Sequence, residues 1–156
     1  MVIRGAVPSD VEAIFQVHVS AIREVCANYY QPAEIESWIC RKRPEGYLEA
    51  VAKHPFFVAV VKPEVVGFSE LNPETGEVCA VYVRPDRLRR GVGRRLLHEA
   101  EAAADQRSMS QLHLSSTLNA VAFYEAHGYV LIERSSVTLG DGTPLPCAKM
   151  SKSLSR

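Results

Sequence analysis

Val78–Leu97 reads VCAVYVRPDRLRRGVGRRLL, and the change of pattern inside it decides how the rest of the chain is read. Val78 to Val83 is an apolar and small run with strand character. A polar link follows, and Arg90-Gly91-Val92-Gly93 opens a helical pattern. Strand, glycine turn and helix start together make an anion-binding arrangement. The first turn of a helix carries N–H groups with no intrahelical partner and a partial positive charge. Glycines at 91 and 93 let that backbone approach a ligand without side chains in the way. Two named phosphate motifs do not fit. A dinucleotide fingerprint wants a third glycine where Leu96 stands, and a Walker loop wants Lys-Ser/Thr where this chain has Arg94-Arg95.

The 156 residues, 47% hydrophobic and 23% charged, predict a single globular domain over residues 1–156 with enough chain to bury a core. Eighteen basic residues balance eighteen acidic ones. That neutrality argues against a general nucleic-acid or membrane-surface binder. The start lacks the apolar core of a signal peptide and no later run reaches membrane-spanning length, so a cytoplasmic location is expected. Cys26, Cys40, Cys79 and Cys147 lack metal-ligand spacing, which predicts reduced, structural thiols and no metal.

Outward from the glycine turn, Val2–Ala6 reads as a first strand. Pro8-Ser9-Asp10 signals a helix start, with Ser9 and Glu12 at capping-box spacing. Val11, Ile14, Phe15, His18, Ile22 and Val25 then fall on one helical face. Prolines 32 and 44 open two further helical pieces, Ala33–Arg41 and Pro44–Lys53. Phe56–Val61 and Val65–Leu71, split by Lys62-Pro63-Glu64, join the central strand in an antiparallel meander. A long helix runs from Val92 to about Arg107, followed by a strand at Gln111–Ser115 and a helix that Gly128 stops. Strand patterns at Tyr129–Arg134 and Cys147–Lys152 complete a mixed α/β order.

Val81-Tyr82-Val83-Arg84-Pro85 followed by Arg90-Gly91-Val92-Gly93 resembles the acetyl-CoA signature of the GCN5-related N-acetyltransferases, with Leu88 where that motif has Gln or Arg. Phe123-Tyr124-Glu125-x-x-Gly128-Tyr129 resembles a second signature of the same family. Asparagine is common there six residues before the phenylalanine; that position here is Thr117, so Asn119 is not carried over. The resemblance covers nearly the whole chain. It implies a central, mostly antiparallel sheet of six to seven strands with helices on both faces. It implies acetyl-CoA as donor, held by Val81, Tyr82, Val83, Arg89, Arg90, Gly91, Val92, Gly93 and Arg94. Tyr124 is then the acid for the departing thiolate and Glu77 the base, acting through water. The acceptor is a small-molecule or peptide amine, and homodimers are frequent in the family. The Tyr29-Tyr30-x-Pro32…Trp38 segment resembles an uncharacterised bacterial subgroup.

Acetyl transfer needs a neutral amine, an N–H donor for the oxyanion and a proton for the thiolate. Glu70 is a second base candidate if its register faces the cleft, and no histidine has a partner identifiable by spacing. Covalent catalysis through cysteine has no support, so direct transfer in a ternary complex is preferred. Tyr29, Tyr30 and Trp38 read either as pocket or as packing residues. Arg84, Arg87, Arg89, Arg90, Arg94 and Arg95 fit either a nucleic-acid patch or the phosphates of CoA, and neutrality favours the cofactor. Three functions therefore stay open: an N-acetyltransferase, a non-catalytic acyl-CoA-binding or sensing module, and a nucleic-acid-binding domain.

Overall fold

The structure, a computed structural model, describes residues 1–154. The elements in chain order are β1 (Val2–Gly5), α1 (Val11–Glu24), α2 (Pro32–Ile39), α3 (Leu48–Lys53), β2 (Phe56–Val61), β3 (Glu64–Asn72), β4 (Glu77–Val83), α4 (Val92–Gln106), β5 (Gln111–Ser116), α5 (Val121–Ala126), β6 (Val130–Thr138) and β7 (Pro144–Ser153). Seven strands form one sheet in the order β1-β2-β3-β4-β5-β7-β6. Every neighbouring pair is antiparallel except β4 and β5, which run parallel. The mixed, mostly antiparallel sheet expected from the sequence is therefore present.

Helices cover the sheet because their apolar stripes have nowhere else to go. On one face α4 buries Leu97, Ala100 and Ala104 against Leu71, Leu112 and Met150. Leu96 of α4 joins Ala59, Val66 and Val83. On the other face α1 lays Ile14 and Val17 on Phe56, Val58 and Phe68. Ile35 and Ile39 of α2 close a fourth cluster with Ile22, Tyr30 and Leu145. The approach of α4 depends on Gly67, where a Cβ would stand 2.9 Å from both Leu96 Cδ1 and the Tyr82 carbonyl oxygen. Two strand residues on, Ser69 Oγ donates to the Leu96 carbonyl at 3.0 Å and fixes the helix along its axis.

Several local expectations are corrected. Ser9 and Glu12 do not form the capping box; Pro8–Asp10 makes a separate short 3-10 turn, and the Asp10 carboxylate accepts the Val7 N–H at 2.8 Å. Arg4 clasps the same carboxylate at 2.8 and 3.0 Å. Pro44 starts a 3-10 turn, Pro44–Tyr47, and the α-helix begins only at Leu48. The last two strands are longer than their apolar runs. Ser136 pairs with Pro146 and Thr138 with Pro144, because a hairpin ladder accepts residues whose own β-preference is weak.

Candidate active site

The parallel pair β4 and β5 is in register only at Glu77 with His113. Beyond that point the strands part. On its other edge β4 stays tied to β3 from Val83 opposite Gly67 to Glu77 opposite Asn72. The Arg84 N–H donates to the Val66 carbonyl of β3 at 2.7 Å. The two-residue alternation of a strand then sends the main-chain groups of Tyr82 toward β3 and those of Val81 and Val83 into the gap.

A cavity of about 390 Å³ fills the gap. Ala21 of α1, with Val25 and Cys26 just beyond the end of that helix, lines it, as do Thr117, Asn119, Ala120 and Phe123. The loop from Arg87 to Arg94 rims its mouth. Gly91 caps α4 at φ +81°, a conformation that penalises side chains, and a Cβ there would meet nothing within 4 Å. Gly93 backs onto the Phe123 ring, 3.4 Å from where its Cβ would be. The first turn of a 15-residue helix thus opens onto the cavity with its N–H groups uncovered by side chains.

Charge around the loop is unevenly satisfied. Arg84 is closed off by Glu64 and Asp86. Arg87, Arg89, Arg90 and Arg94 form no ion pair among the described residues, although the Arg87 charge is felt at Asp86. Two buried polar atoms in the cavity wall have no hydrogen-bond partner among the described residues, the Nε of Arg87 and the Oδ1 of Asn119. Buried donors and acceptors are nearly always paired in folded proteins, so one unpaired atom of each kind in the lining of a single cavity is unusual.

Of the cofactor residues expected from the sequence, Val81, Tyr82, Val83, Arg89, Gly91, Val92, Gly93 and Arg94 line the cavity. Arg90 is exposed beside it and is not in the lining. Tyr124 lies behind Phe123, 7% exposed, its ring edge-on to Phe123 and Tyr129 at 5.1 and 5.6 Å. Its hydroxyl has no hydrogen-bond partner among the described residues, and burial raises its pKa, so the phenol stays protonated.

The carboxylates separate by register. Glu77 sits at the pinched end, between Asn72 and His113, outside the cavity lining. Glu70 pairs with Ala80 and shares the sheet face of Phe68 and Tyr82. Its Oε2 lies 2.7 Å from His54 Nδ1, with the two side chains only 17% and 24% exposed. Sixteen residues separate that pair in sequence, and only the β2–β3 hairpin brings them together.

Tyr30 is a clamp and does not line the cavity. Buried at 6%, it donates to the Pro146 carbonyl at 2.7 Å and accepts the Leu118 N–H at 3.0 Å, which holds the wall carrying Asn119. Trp38 packs on its ring at 5.6 Å, while Tyr29 is exposed. Cys26, a wall residue that sequence reasoning left unplaced, has a thiol that burial pushes up to about 12. It stays a thiol at neutral pH, and all four cysteines are free. Asn119 was set aside on motif spacing; its position in the turn just after β5, facing the glycine loop, is the signal that finds it.

A family model described as an acetyltransferase (GNAT) domain matches residues 26–153. Among solved structures, a GCN5-related N-acetyltransferase from Rhodopseudomonas palustris is similar at 26% identity and TM-score 0.91, covering 98% of this chain and 95% of that one. The PaiA N-acetyltransferase of Thermoplasma acidophilum, solved in complex with coenzyme A, is similar at 22% identity and TM-score 0.81, with 98% of each chain covered. A phosphinothricin acetyltransferase from Sinorhizobium meliloti, in complex with acetyl-CoA, shares the fold at 18% identity and TM-score 0.75, covering 98% of this chain and 88% of that one. No curated sequence relative matches the chain. With the glycine loop, the splayed strands and the family model in agreement over most of its length, the chain belongs to the GCN5-related N-acetyltransferase (GNAT) family.

Proposed function

We propose that this protein moves the acetyl group of acetyl-CoA to a primary amine by direct attack in a ternary complex. The observation that carries the reading is the cavity between β4 and β5, rimmed by unpaired arginines and by the open first turn of α4. The donor set fits such a molecule. Main-chain N–H groups at Gly91–Gly93, with Arg89 and Arg94, suit phosphates. The free main-chain edge of Val81 and Val83 suits the amides of a pantetheine arm, and apolar Ala21, Val25 and Phe123 suit its carbon chain.

Acetyl-CoA supplies a thioester activated toward nitrogen nucleophiles. The chain's own groups do the rest. An N–H of the β4 edge hydrogen-bonds the acetyl oxygen in this reading. Tyr124 donates its O–H toward the sulfur. Because burial raises the phenol pKa, it acts as a hydrogen-bond donor more readily than as a full proton source. Proton removal from the amine falls to the carboxylates near the pinched end, Glu77 through water, or Glu70 with His54 as the onward acceptor. Cys26, held as a thiol, takes no covalent part.

The test is calorimetric titration with acetyl-CoA, followed by thiol release across a panel of metabolite, peptide and antibiotic amines. Micromolar binding with release for at least one amine class is expected. No heat from a folded sample would overturn the reading. Binding without release across the panel would favour the acyl-CoA-binding module instead.

A further inference from the structure

We propose that Arg87 is the cationic anchor for the diphosphate of the donor, taking the part that Leu88 cannot fill; the inference rests on the acetyl-CoA reading above. Leu88 stands at the cavity rim, 41% exposed, and offers no polar group. One residue earlier, Arg87 ends the 3-10 turn Pro85–Arg87, its own N–H donating to the Arg84 carbonyl at 2.9 Å. That turn fixes where the side chain starts. The guanidinium Nε lies sealed from water in the cavity wall without an acceptor.

Arg84 shows how the same loop treats a guanidinium that serves the fold, since Glu64 and Asp86 both pair with it. Asp86 is Arg87's immediate neighbour, yet its two oxygens both go to Arg84. Arg89, Arg90 and Arg94 differ in another respect: they are more exposed, and water and salt weaken what a charge can contribute there. Of these, Arg87 alone among the described residues has a buried donor without a partner, and a charge-assisted hydrogen bond from a planar fork is strongest away from water.

Asn119 Oδ1 is the complementary orphan among the described residues, an acceptor in the lining of the same cavity. A ligand that satisfies both carries an anionic oxygen beside the glycine loop and an N–H donor deeper toward α5. A diphosphate joined to an amide-bearing arm has its groups in that order. The 3′-phosphate of coenzyme A is left to the exposed arginines at the rim.

Calorimetric titration of the wild type, Arg87→Met and Arg87→Lys with coenzyme A and with dephospho-coenzyme A tests this. Losing a hydrogen bond to a charged partner predicts that Arg87→Met weakens both ligands by at least about tenfold. Arg87→Lys, which keeps the charge but not the Nε–H, recovers only part of the loss. The unliganded Arg87→Met protein melts at or above the wild-type midpoint, because it sheds an unpaired buried donor and keeps an apolar stem. Wild-type affinity in Arg87→Met, a loss confined to coenzyme A and absent with dephospho-coenzyme A, or a lowered midpoint without ligand would each overturn the assignment. A wild type that binds neither ligand would overturn the acetyl-CoA reading itself.

Discussion

His18 makes the fold acid-sensitive in a way that can be calculated. Its ring is 8% exposed on α1, enclosed by Phe68 at 5.5 Å and Tyr82 at 4.3 Å between ring centres. Nδ1 meets the Tyr47 hydroxyl at 2.8 Å, and Nε2 has no partner among the described residues. Burial first, and the Lys42 charge second, hold its pKa well below the ordinary 6.5. The unfolded chain titrates near that ordinary value, so below it the unfolded state binds a proton that the folded state refuses. Stability is therefore complete above about pH 7 and drains away as pH falls. From RT ln(1 + 10^(6.5 − pH)), the loss by pH 5 reaches about 2 kcal/mol if the folded ring stays neutral. Urea unfolding of wild type and His18→Phe at pH 7 and pH 5 measures it. Other histidines and carboxylates contribute equally to both proteins, so the difference between the two pH differences isolates His18. Equal pH sensitivity in the two proteins would refute the reasoning.

Other outcomes follow from the same geometry. Tyr30→Phe orphans the Leu118 N–H and the Pro146 carbonyl and should cost about 2–4 kcal/mol in chemical denaturation, with weaker coenzyme A binding as the Asn119 wall loosens. Gly67→Ala forces a Cβ into Leu96 and the Tyr82 carbonyl, an overpacking cost of about 1–3 kcal/mol readable as a lower melting midpoint. Tyr124→Phe should reduce turnover by about a hundredfold or more once an acceptor is in hand, while donor affinity by calorimetry stays within about twofold. Asp10→Asn removes the better acceptor of the Val7 N–H and the partner of Arg4; a loss of about 0.5–2 kcal/mol is expected above pH 5 and should vanish as acid protonates Asp10 in the wild type.

The glycine loop and the β4 strand were legible because their signals are local. Gly91 needs its positive φ, Val78–Val83 its extended run, and α4 its spaced small residues, and each of these is written within a few positions of chain. Phe123 and Tyr124 were found the same way, although only the structure places the first in the cavity wall and the second behind it. The capping of α1 was misread because Ser9 and Asp10 compete for one helix start, and the Arg4 guanidinium on β1 decides between them.

By itself, the amino-acid sequence determined the order of elements, the meander, the glycine turn and the family whose fold they compose, since periodicity, turn chemistry and motif spacing act between near neighbours. Tertiary structure alone decided that β4 and β5 part after a single registered pair, that Tyr30 braces a wall, that Glu70 finds His54, and that Arg87 and Asn119 face the cavity with unpaired atoms. Those are relations between residues brought together from distant parts of the chain, and they exist only once strands pair and helices pack.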